Sequence, residues 1–177
     1  EFAYKYDENG KVVDISCKTV SGKKFIWYGT GGNDPEGPHL YKINGWYYLL
    51  ISEGGTEFCH MITVARSRNI WGEYESCPRN PVFSNRSTSL PIKGTGHMDI
   101  VCDQYGDWWG VCLANRPITY PFKHNLGRET FLVPVEWDDK GWPVIGRNGL
   151  LDERISSDRK LFDGVMQKSQ TDEGKHF

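Results

Sequence analysis

The sequence of 177 residues is long enough for one domain with a buried hydrophobic core. Hydrophobic residues make up 38% and charged residues 25%, as in an ordinary soluble protein, and the formal net charge of −2 creates no strong field for nucleic acid or an anionic membrane. The sequence contains no run of about 18 or more apolar residues, so no membrane-spanning helix is predicted.

The sequence predicts short strands joined by tight turns. Aromatic residues reach 14%, and there are 20 glycines and 9 prolines, a composition typical of such folds. The aromatic side chains fit either the packing of a β core or the stacking surface of a carbohydrate site. No long stretch before residue 146 has helical periodicity. In chain order the predicted strands are 2–6 with 12–15, 24–28, 39–43 with 46–52, 60–67, 100–102 with 108–114, and 131–137 with 142–145.

The cysteines predict free thiols. There are five of them, an odd number, and no Cys-x-x-Cys pair is present, which argues against a disulfide framework and a zinc site of that kind. Cys102 and Cys112 lie in apolar runs and are expected to be small core residues. This pattern favours a reducing compartment, and therefore a cytoplasmic location over secretion.

An internal repeat relates two predicted hairpins. The segments that begin at Gly45 and Gly106 both combine a glycine with aromatic residues and lie 61 positions apart (106 − 45). The same offset (97 − 36) carries Glu36 onto His97. If the repeat is that of a propeller, these two side chains face one axial cavity from neighbouring blades. A chance alignment of aromatic hairpins is the alternative.

Glu36 lies in a segment whose backbone is unusually restricted. Residues 29–42 read Gly-Thr-Gly-Gly-Asn-Asp-Pro-Glu-Gly-Pro-His-Leu-Tyr-Lys, with Pro35 and Pro38 close on either side of the glutamate. Prolines stiffen the backbone, and glycines permit close approach of a ligand. Rigid placement suits a general acid, because proton transfer depends first on distance. The alternative is an exposed loop glutamate that caps a turn.

Four motifs in order resemble glycoside hydrolase family 43. They are Glu36-Gly-Pro-His-Leu-Tyr-Lys, the run from Gly45 to Thr56, Gly94-Thr-Gly-His-Met-Asp-Ile, and the run from Leu126 to Trp137 followed by Gly141-Trp-Pro-Val. Their order and spacing match over residues 24–146. The Leu-Gly-Arg-Glu-Thr-Phe stretch is most similar to the xylosidase and arabinofuranosidase branch.

The resemblance implies a fold, a reaction and three site residues. The fold is an all-β, five-bladed β-propeller, of which 177 residues at about 61 per repeat represent about three blades. The reaction is inverting hydrolysis of terminal β-xylosyl or α-L-arabinofuranosyl residues from hemicellulose oligosaccharides, with Glu36 as general acid. Arg128 would bind the sugar. His97 would lie near the propeller axis and contact the substrate or a calcium ion.

Simpler roles for these residues stay open. His97 could be a hydrogen-bonded structural histidine, and Arg128 could pair with Glu129 or another surface acid. The aromatic residues of the two hairpins are expected mainly to pack within blades, with at most one reaching a sugar. They are Trp46, Tyr47, Trp108 and Trp109.

The chain departs from the family pattern ahead of Glu36. The resemblance implies a base aspartate and a second aspartate that tunes the acid, both many residues before the Glu-Gly-Pro-His motif. Only 35 residues precede Glu36, and Asp7, Asp14 and Asp34 do not lie in the expected context. We therefore expect a fragment, whose missing blades a second chain could supply.

The predicted organisation is a partial propeller domain over 1–146 and a polar tail or linker over 147–177. Leu151, Ile155, Leu161, Phe162 and Val165 hint at a short helix in that tail. An inactive carbohydrate-binding or propeller-completing fragment is the alternative function. No nucleic-acid or membrane partner is expected.

Overall fold

The computed structural model describes residues 2–17, 22–119 and 123–154. In these residues it contains ten β-strands and no helix, which confirms the predicted all-β class. The strands are β1 (Phe2–Tyr6), β2 (Val12–Cys17), β3 (Glu36–Ile43), β4 (Trp46–Glu53), β5 (Met61–Ser67), β6 (Glu75–Ser76), β7 (Lys93–Cys102), β8 (Trp108–Asn115), β9 (Arg128–Trp137) and β10 (Pro143–Ile145). Within the described ranges, no helix is long and apolar enough to cross a membrane.

The strands form one hairpin and two four-stranded sheets. β1 pairs with β2; the first sheet has the order β3-β4-β5-β6, and the second sheet has the order β7-β8-β9-β10. Each strand is antiparallel to the next along the chain. A four-stranded meander of this kind is the blade of a β-propeller. The described residues therefore hold two complete blades and a separate hairpin, where the sequence predicted about three blades.

The hydrophobic core lies between the two sheets. β7 packs against β4 and β5, and it also runs beside β3. Leu50 and Ile62 from the first sheet, and Met98 and Val133 from the second, are each no more than 1% exposed. Burying such a side chain contributes about 1.5–3 kcal/mol. This burial holds the two sheets together and sets the position of β3 relative to β7.

Aromatic side chains pack at one end of the two sheets. The ring of Tyr48 lies 5.2 Å from that of Trp137 and 6.4 Å from that of Trp142, measured between centroids. The guanidinium carbon of Arg66 lies 4.2 Å from the ring centroid of Trp46 and 3.9 Å from that of Trp142. These rings thus pack within the structure, which was expected from the sequence for Trp46.

The largest differences from the predicted strands are in two stretches. Residues 24–28 are not assigned to a strand, and Phe25 and Tyr28 stack on each other while 73% and 71% exposed. A β-prone pattern becomes a strand only where a neighbouring strand pairs with it. β7 begins at Lys93 rather than at residue 100, with two shifts of register near its start. Glycines concealed that start, because they lower strand propensity and mark bulges.

The cysteines of the described part are free thiols. Cys59, Cys77, Cys102 and Cys112 form no disulfide. Cys112 is buried, as expected, but Cys102 is exposed. The core assignment of Cys102 was wrong because this residue ends β7 on the outer side of the sheet, next to a turn.

The chain folds back into the core after residue 146. Leu151 is 1% exposed, and the side-chain amide of Asn85 donates to its carbonyl at 2.7 Å and accepts from its backbone N–H at 2.9 Å. Asn85 begins a glycosylation sequon, but it is fully buried and is a structural tie. The division at 146/147 stays a prediction, and the helix predicted beyond Leu151 lies outside the described residues.

Candidate active site

Glu36 begins β3 beside the second sheet. It lies opposite Ser52 of β4, and the register of the two strands shifts directly after it. Gly37 allows this shift with a φ of 54°, and a Cβ there would lie 3.0 Å from the His97 ring. The side chain of Glu36 is 42% exposed. Its carboxylate is therefore held at the end of a paired strand and still open on one side.

His97 faces Glu36 from β7. Its Nδ1 lies 3.5 Å from Oε1 of Glu36, and its backbone N–H donates to Oγ of Ser52 at 2.7 Å. His97 has a φ of 47°, a conformation that costs a residue other than glycine about 1–3 kcal/mol. The hydrogen bond to Ser52 and the packing of β7 hold the backbone in this state. The repeat in the sequence had predicted that these two side chains face one cavity.

A second histidine, His60, lies close to Glu36, although no local sequence pattern indicated a role for it. His60 comes directly before β5 and is 1% exposed. Its Nε2 is 3.5 Å from Oε1 of Glu36, and its Nδ1 is 3.2 Å from the carbonyl oxygen of Gly94. Burial lowers the pKa of His60, as do the charges of His97 and Arg128, while the Gly94 carbonyl and the charge of Glu36 oppose this. The net effect favours a neutral imidazole.

The segment Gly94-Thr-Gly-His builds this arrangement. Gly94 accepts the contact from His60, and Thr95 Oγ1 accepts from the backbone N–H of Asn85 at 2.9 Å. A Cβ on Gly96 would lie 2.4 Å from the ring of His60. Gly96 therefore makes the room that the buried imidazole occupies. No local pattern in the sequence signalled this role, since the two segments are more than 30 residues apart.

Arg128 begins β9 and reaches across to the first sheet. Its Nη1 donates to Oγ1 of Thr56 at 3.3 Å, and its charge contributes to the lowered pKa of His60. Glu129, the partner considered for it, instead pairs with Arg116 at 3.1 Å. The guanidinium of Arg128 is thus close enough to His60 to act on it electrostatically.

A buried carboxylate supports the segment that leads into β3. Glu53 is fully buried, and its oxygens accept from the backbone N–H groups of Thr30 and Gly32 at 3.0 and 2.8 Å and from the hydroxyl of Thr63 at 2.5 Å. A Cβ on Gly29 or on Gly32 would lie within 3 Å of Glu53 or Met61. These two glycines therefore pack on Glu53. The expectation that they make room for a ligand was wrong, because a long-range contact fills that space.

A shallow cavity of about 380 Å³ opens beside His97. Its lining includes His39 and Asp99. The carboxylate of Asp99 accepts from the hydroxyl of Tyr41 and lies 3.5 Å from Nδ1 of His39. Burial, and next the bond to Asp99, raise the pKa of Tyr41. Asp99 therefore ties β7 to β3 at the edge of the site.

The chain that carries the two histidines and Glu36 has known relatives. Residues 5–143 match the family model described as glycosyl hydrolases family 43. The chain belongs to this family. A Bacteroides ovatus protein named non-reducing end alpha-L-arabinofuranosidase is 45% identical over 147 residues, which are 82% of this chain and 26% of that protein. A Butyrivibrio fibrisolvens xylosidase/arabinosidase is 46% identical over 156 residues, 85% of this chain and 28% of that protein.

A solved family 43 structure shows the same arrangement of strands. The protein described as Bacteroides ovatus xyloglucan PUL GH43B matches with a TM-score of 0.69 at 39% identity. The match covers 86% of this chain and 30% of that one. The solved relatives are β-propellers, so the two sheets are propeller blades. This family 43 chain spans about a quarter to a third of the length of these relatives.

The described residues around His97 do not fit a calcium ion. Calcium prefers about six to eight oxygen ligands, whereas His97 has one carboxylate and one other imidazole beside it. Within residues 2–17, 22–119 and 123–154, no group of three or more His, Cys, Asp or Glu side chains is placed to hold a metal. The contacts of His97 are those of hydrogen bonding, and calcium at the propeller axis stays a prediction of the family resemblance.

Proposed function

We propose that this chain supplies the acid side of an inverting glycoside hydrolase site, with Glu36 as the general acid. The substrate is a terminal β-xylosyl or α-L-arabinofuranosyl residue of a hemicellulose oligosaccharide, a class supported by the named activities of two relatives. One observation carries the proposal. The carboxyl group of Glu36 is faced by two imidazoles on one side and is 42% exposed on the other.

Glu36 protonates the glycosidic oxygen as the bond to the anomeric carbon breaks. The O–H bond of the carboxyl breaks, a new O–H bond forms on the leaving sugar, and Glu36 is left as a carboxylate. This transfer requires a donor within about 2.6–3.2 Å of the oxygen. The paired backbone of β3 supports Glu36 in one place for this purpose.

Arg128 and His97 bind the sugar beside Glu36. The guanidinium of Arg128 has about five N–H donors in a planar fork, which suits adjacent sugar hydroxyls. The side chain of His97 is 45% exposed and adjoins Glu36. These positions support binding roles for both residues.

The base carboxylate comes from outside this chain. Inversion needs a second carboxylate about 6.5–9.5 Å from the acid, with room for the attacking water between them. The chain corresponds to 26% and 28% of the two relatives, so the rest of a full-length family member is available to supply this group. By itself the chain is therefore expected to have little or no hydrolase activity.

A second candidate function is completion of a propeller without chemistry. Val101, Val111 and Leu132 are 54%, 39% and 38% exposed. Val111 lies directly opposite Leu132 and Asp99, so these side chains share the face of the second sheet that points away from the core. Such an apolar face suits cover by a further blade.

The test combines the mass of the species in solution with hydrolysis of xylobiose and of an α-L-arabinofuranosyl xylo-oligosaccharide, whose leaving sugars need a proton. When the chain is assembled with the polypeptide that completes the propeller, one substrate is cleaved, Glu36→Gln abolishes cleavage, and the exposed control Glu73→Gln retains it. Cleavage that survives Glu36→Gln contradicts the role of Glu36. A completed but inert propeller contradicts the enzymatic function and supports the second candidate. Turnover by the chain alone, lost in Glu36→Gln, contradicts the expected inactivity.

A further inference from the structure

His60 is a buried imidazole that the proposed reaction does not use. It is 1% exposed and connects the sheets, since it comes directly before β5 while its Nδ1 contacts Gly94 at the start of β7. In the described structure its Nε2 is buried and has no hydrogen-bond partner. A buried polar atom without a partner costs about 1–3 kcal/mol. The arrangement therefore needs an explanation.

The contacts of His60 determine its tautomer. A carbonyl oxygen only accepts hydrogen bonds, so the contact with Gly94 requires the ring proton on Nδ1. Since burial favours the neutral ring, Nε2 is left with a lone pair. Nε2 lies 3.5 Å from Oε1 of Glu36. A carboxylate there would place two acceptors face to face, whereas a protonated carboxyl can donate to Nε2.

We propose, on the basis of the function proposed above, that His60 is a positioning residue that orients the acid form of Glu36, accepting a hydrogen bond from its carboxyl through Nε2. The terminal torsion of a glutamate is soft, so the carboxyl can turn its O–H from Nε2 to the glycosidic oxygen. After the proton leaves, the carboxylate takes up another from solvent on its exposed side. His60 itself neither gains nor loses a proton.

His97 and Arg128 also act on the pair formed by Glu36 and His60. His97 approaches the same Oε1 from β7 at 3.5 Å, with 45% of its side chain exposed. Arg128 begins β9, and its positive charge acts on His60. The ring of His60 is 1% exposed and is held by the carbonyl of Gly94. Of the two imidazoles beside Glu36, that of His60 is therefore the one fixed by burial and by a backbone contact.

Nitrogen NMR of His60 in the intact chain tests this pairing without hydrolysis. We expect the neutral tautomer with the proton on Nδ1. Long-range correlations between the ring nitrogens and the carbon-bound protons of the ring identify this tautomer. In Glu36→Gln, whose amide mimics the protonated carboxyl, the Nε2 resonance moves upfield relative to Glu36→Ala. The control pair Glu73→Gln and Glu73→Ala shows no such difference. A ring proton on Nε2, or identical Nε2 resonances in both Glu36 variants, overturns the proposal.

Two substitutions of His60 separate positioning from a purely structural role. Asparagine places its amide near Nδ1 and can keep the bond to Gly94, while glutamine places its amide near Nε2 and can reach Glu36. In the completed propeller we expect His60→Asn to lower kcat about 100-fold with little change in KM, since a misplaced catalytic group costs about that much. His60→Gln recovers most of this loss. Equal effects of the two variants, or a better rate for His60→Asn, overturn the proposal.

The two experiments keep the inference separate from the proposed function. If the nitrogen spectra show the bond to Glu36 and the completed propeller is inert, the function fails while the pairing stands. If hydrolysis depends on Glu36 and the spectra show no bond, the function stands and the role of His60 is refuted.

Discussion

Oε1 of Glu36 lies 3.5 Å from Nδ1 of His97. The hydroxyl group of Ser52 connects the strands that carry these two residues. Ser52 lies opposite Glu36 in the first sheet, and its Oγ accepts from the backbone N–H of His97 in the second. The acid and the histidine are therefore aligned by the backbone of two different sheets. Any change that moves the sheets apart also separates the two groups.

Ser52→Ala is expected to weaken this connection. The hydroxyl is fully buried, so its loss leaves the N–H of His97 without its acceptor and costs about 1–3 kcal/mol of the free energy of unfolding. Urea denaturation measures the change. Ser16→Ala, in the exposed part of β2, is the control and should change stability by less than about 0.5 kcal/mol. Equal stabilities of the two variants would contradict the structural role of Ser52.

Glu53→Gln is expected to loosen the segment that leads into β3. The amide group replaces one acceptor with a donor that faces the N–H groups of Thr30 and Gly32. The expected cost is about 2–3 kcal/mol of the free energy of unfolding, because hydrogen bonds to a buried charge are lost. Urea denaturation and hydrogen exchange at Thr30 and Gly32 measure it. Unchanged exchange at these amides would show that Glu53 does not hold the segment.

Gly96→Ala is expected to displace the ring of His60. A Cβ at this position would lie 2.4 Å from the ring, so the imidazole must move away from Gly94, at a cost of about 1–3 kcal/mol. Gly22→Ala is the matched control, since a Cβ there meets no atom within 4 Å. Denaturation and the NMR signals of the His60 ring report the effect. A variant with unchanged His60 signals would refute the close contact between Gly96 and the His60 ring.

The buried imidazole of His60 predicts a pH dependence of stability. Its pKa is lowered in the folded chain, mainly by burial, so below about 6.5 the unfolded chain binds the proton first. The free energy of unfolding therefore falls as the pH drops below about 6.5, by up to about 1.4 kcal/mol per unit, until the folded pKa is reached. Denaturation of the wild-type chain and of His60→Asn between pH 5 and pH 7 measures the slope. A slope that His60→Asn leaves unchanged would contradict this assignment.

Local patterns predicted most of the strands, and an internal repeat predicted that Glu36 and His97 lie near each other. The runs that became β4, β5 and β8 were recognisable because their apolar residues and turns lie close together in sequence. The repeat of 61 positions (97 − 36) also placed Glu36 and His97 at one cavity, and the structure brings them together. Both predictions depend on sequence patterns that either lie within a few neighbouring residues or repeat from one blade to the next.

The missed features depend on contacts between distant segments. His60 follows a cysteine in an unremarkable stretch, and its partners Glu36 and Gly94 are far from it along the chain. Glu53 resembles a surface carboxylate at the end of a strand, yet the glycine-rich segment wraps around it. Burial of a polar side chain is decided by tertiary packing, so neither role had a local signal.

A comparison of two leaving groups tests most directly whether Glu36 is the general acid. In the completed propeller, kcat/KM is measured for xylobiose and for 4-nitrophenyl β-D-xyloside, in the wild type and in Glu36→Gln. If Glu36 is the general acid, its loss lowers the rate on xylobiose by about 10²–10⁴-fold. The rate on the nitrophenyl substrate falls far less, because nitrophenolate leaves without a proton. An equal loss on both substrates would show that Glu36 acts in another way.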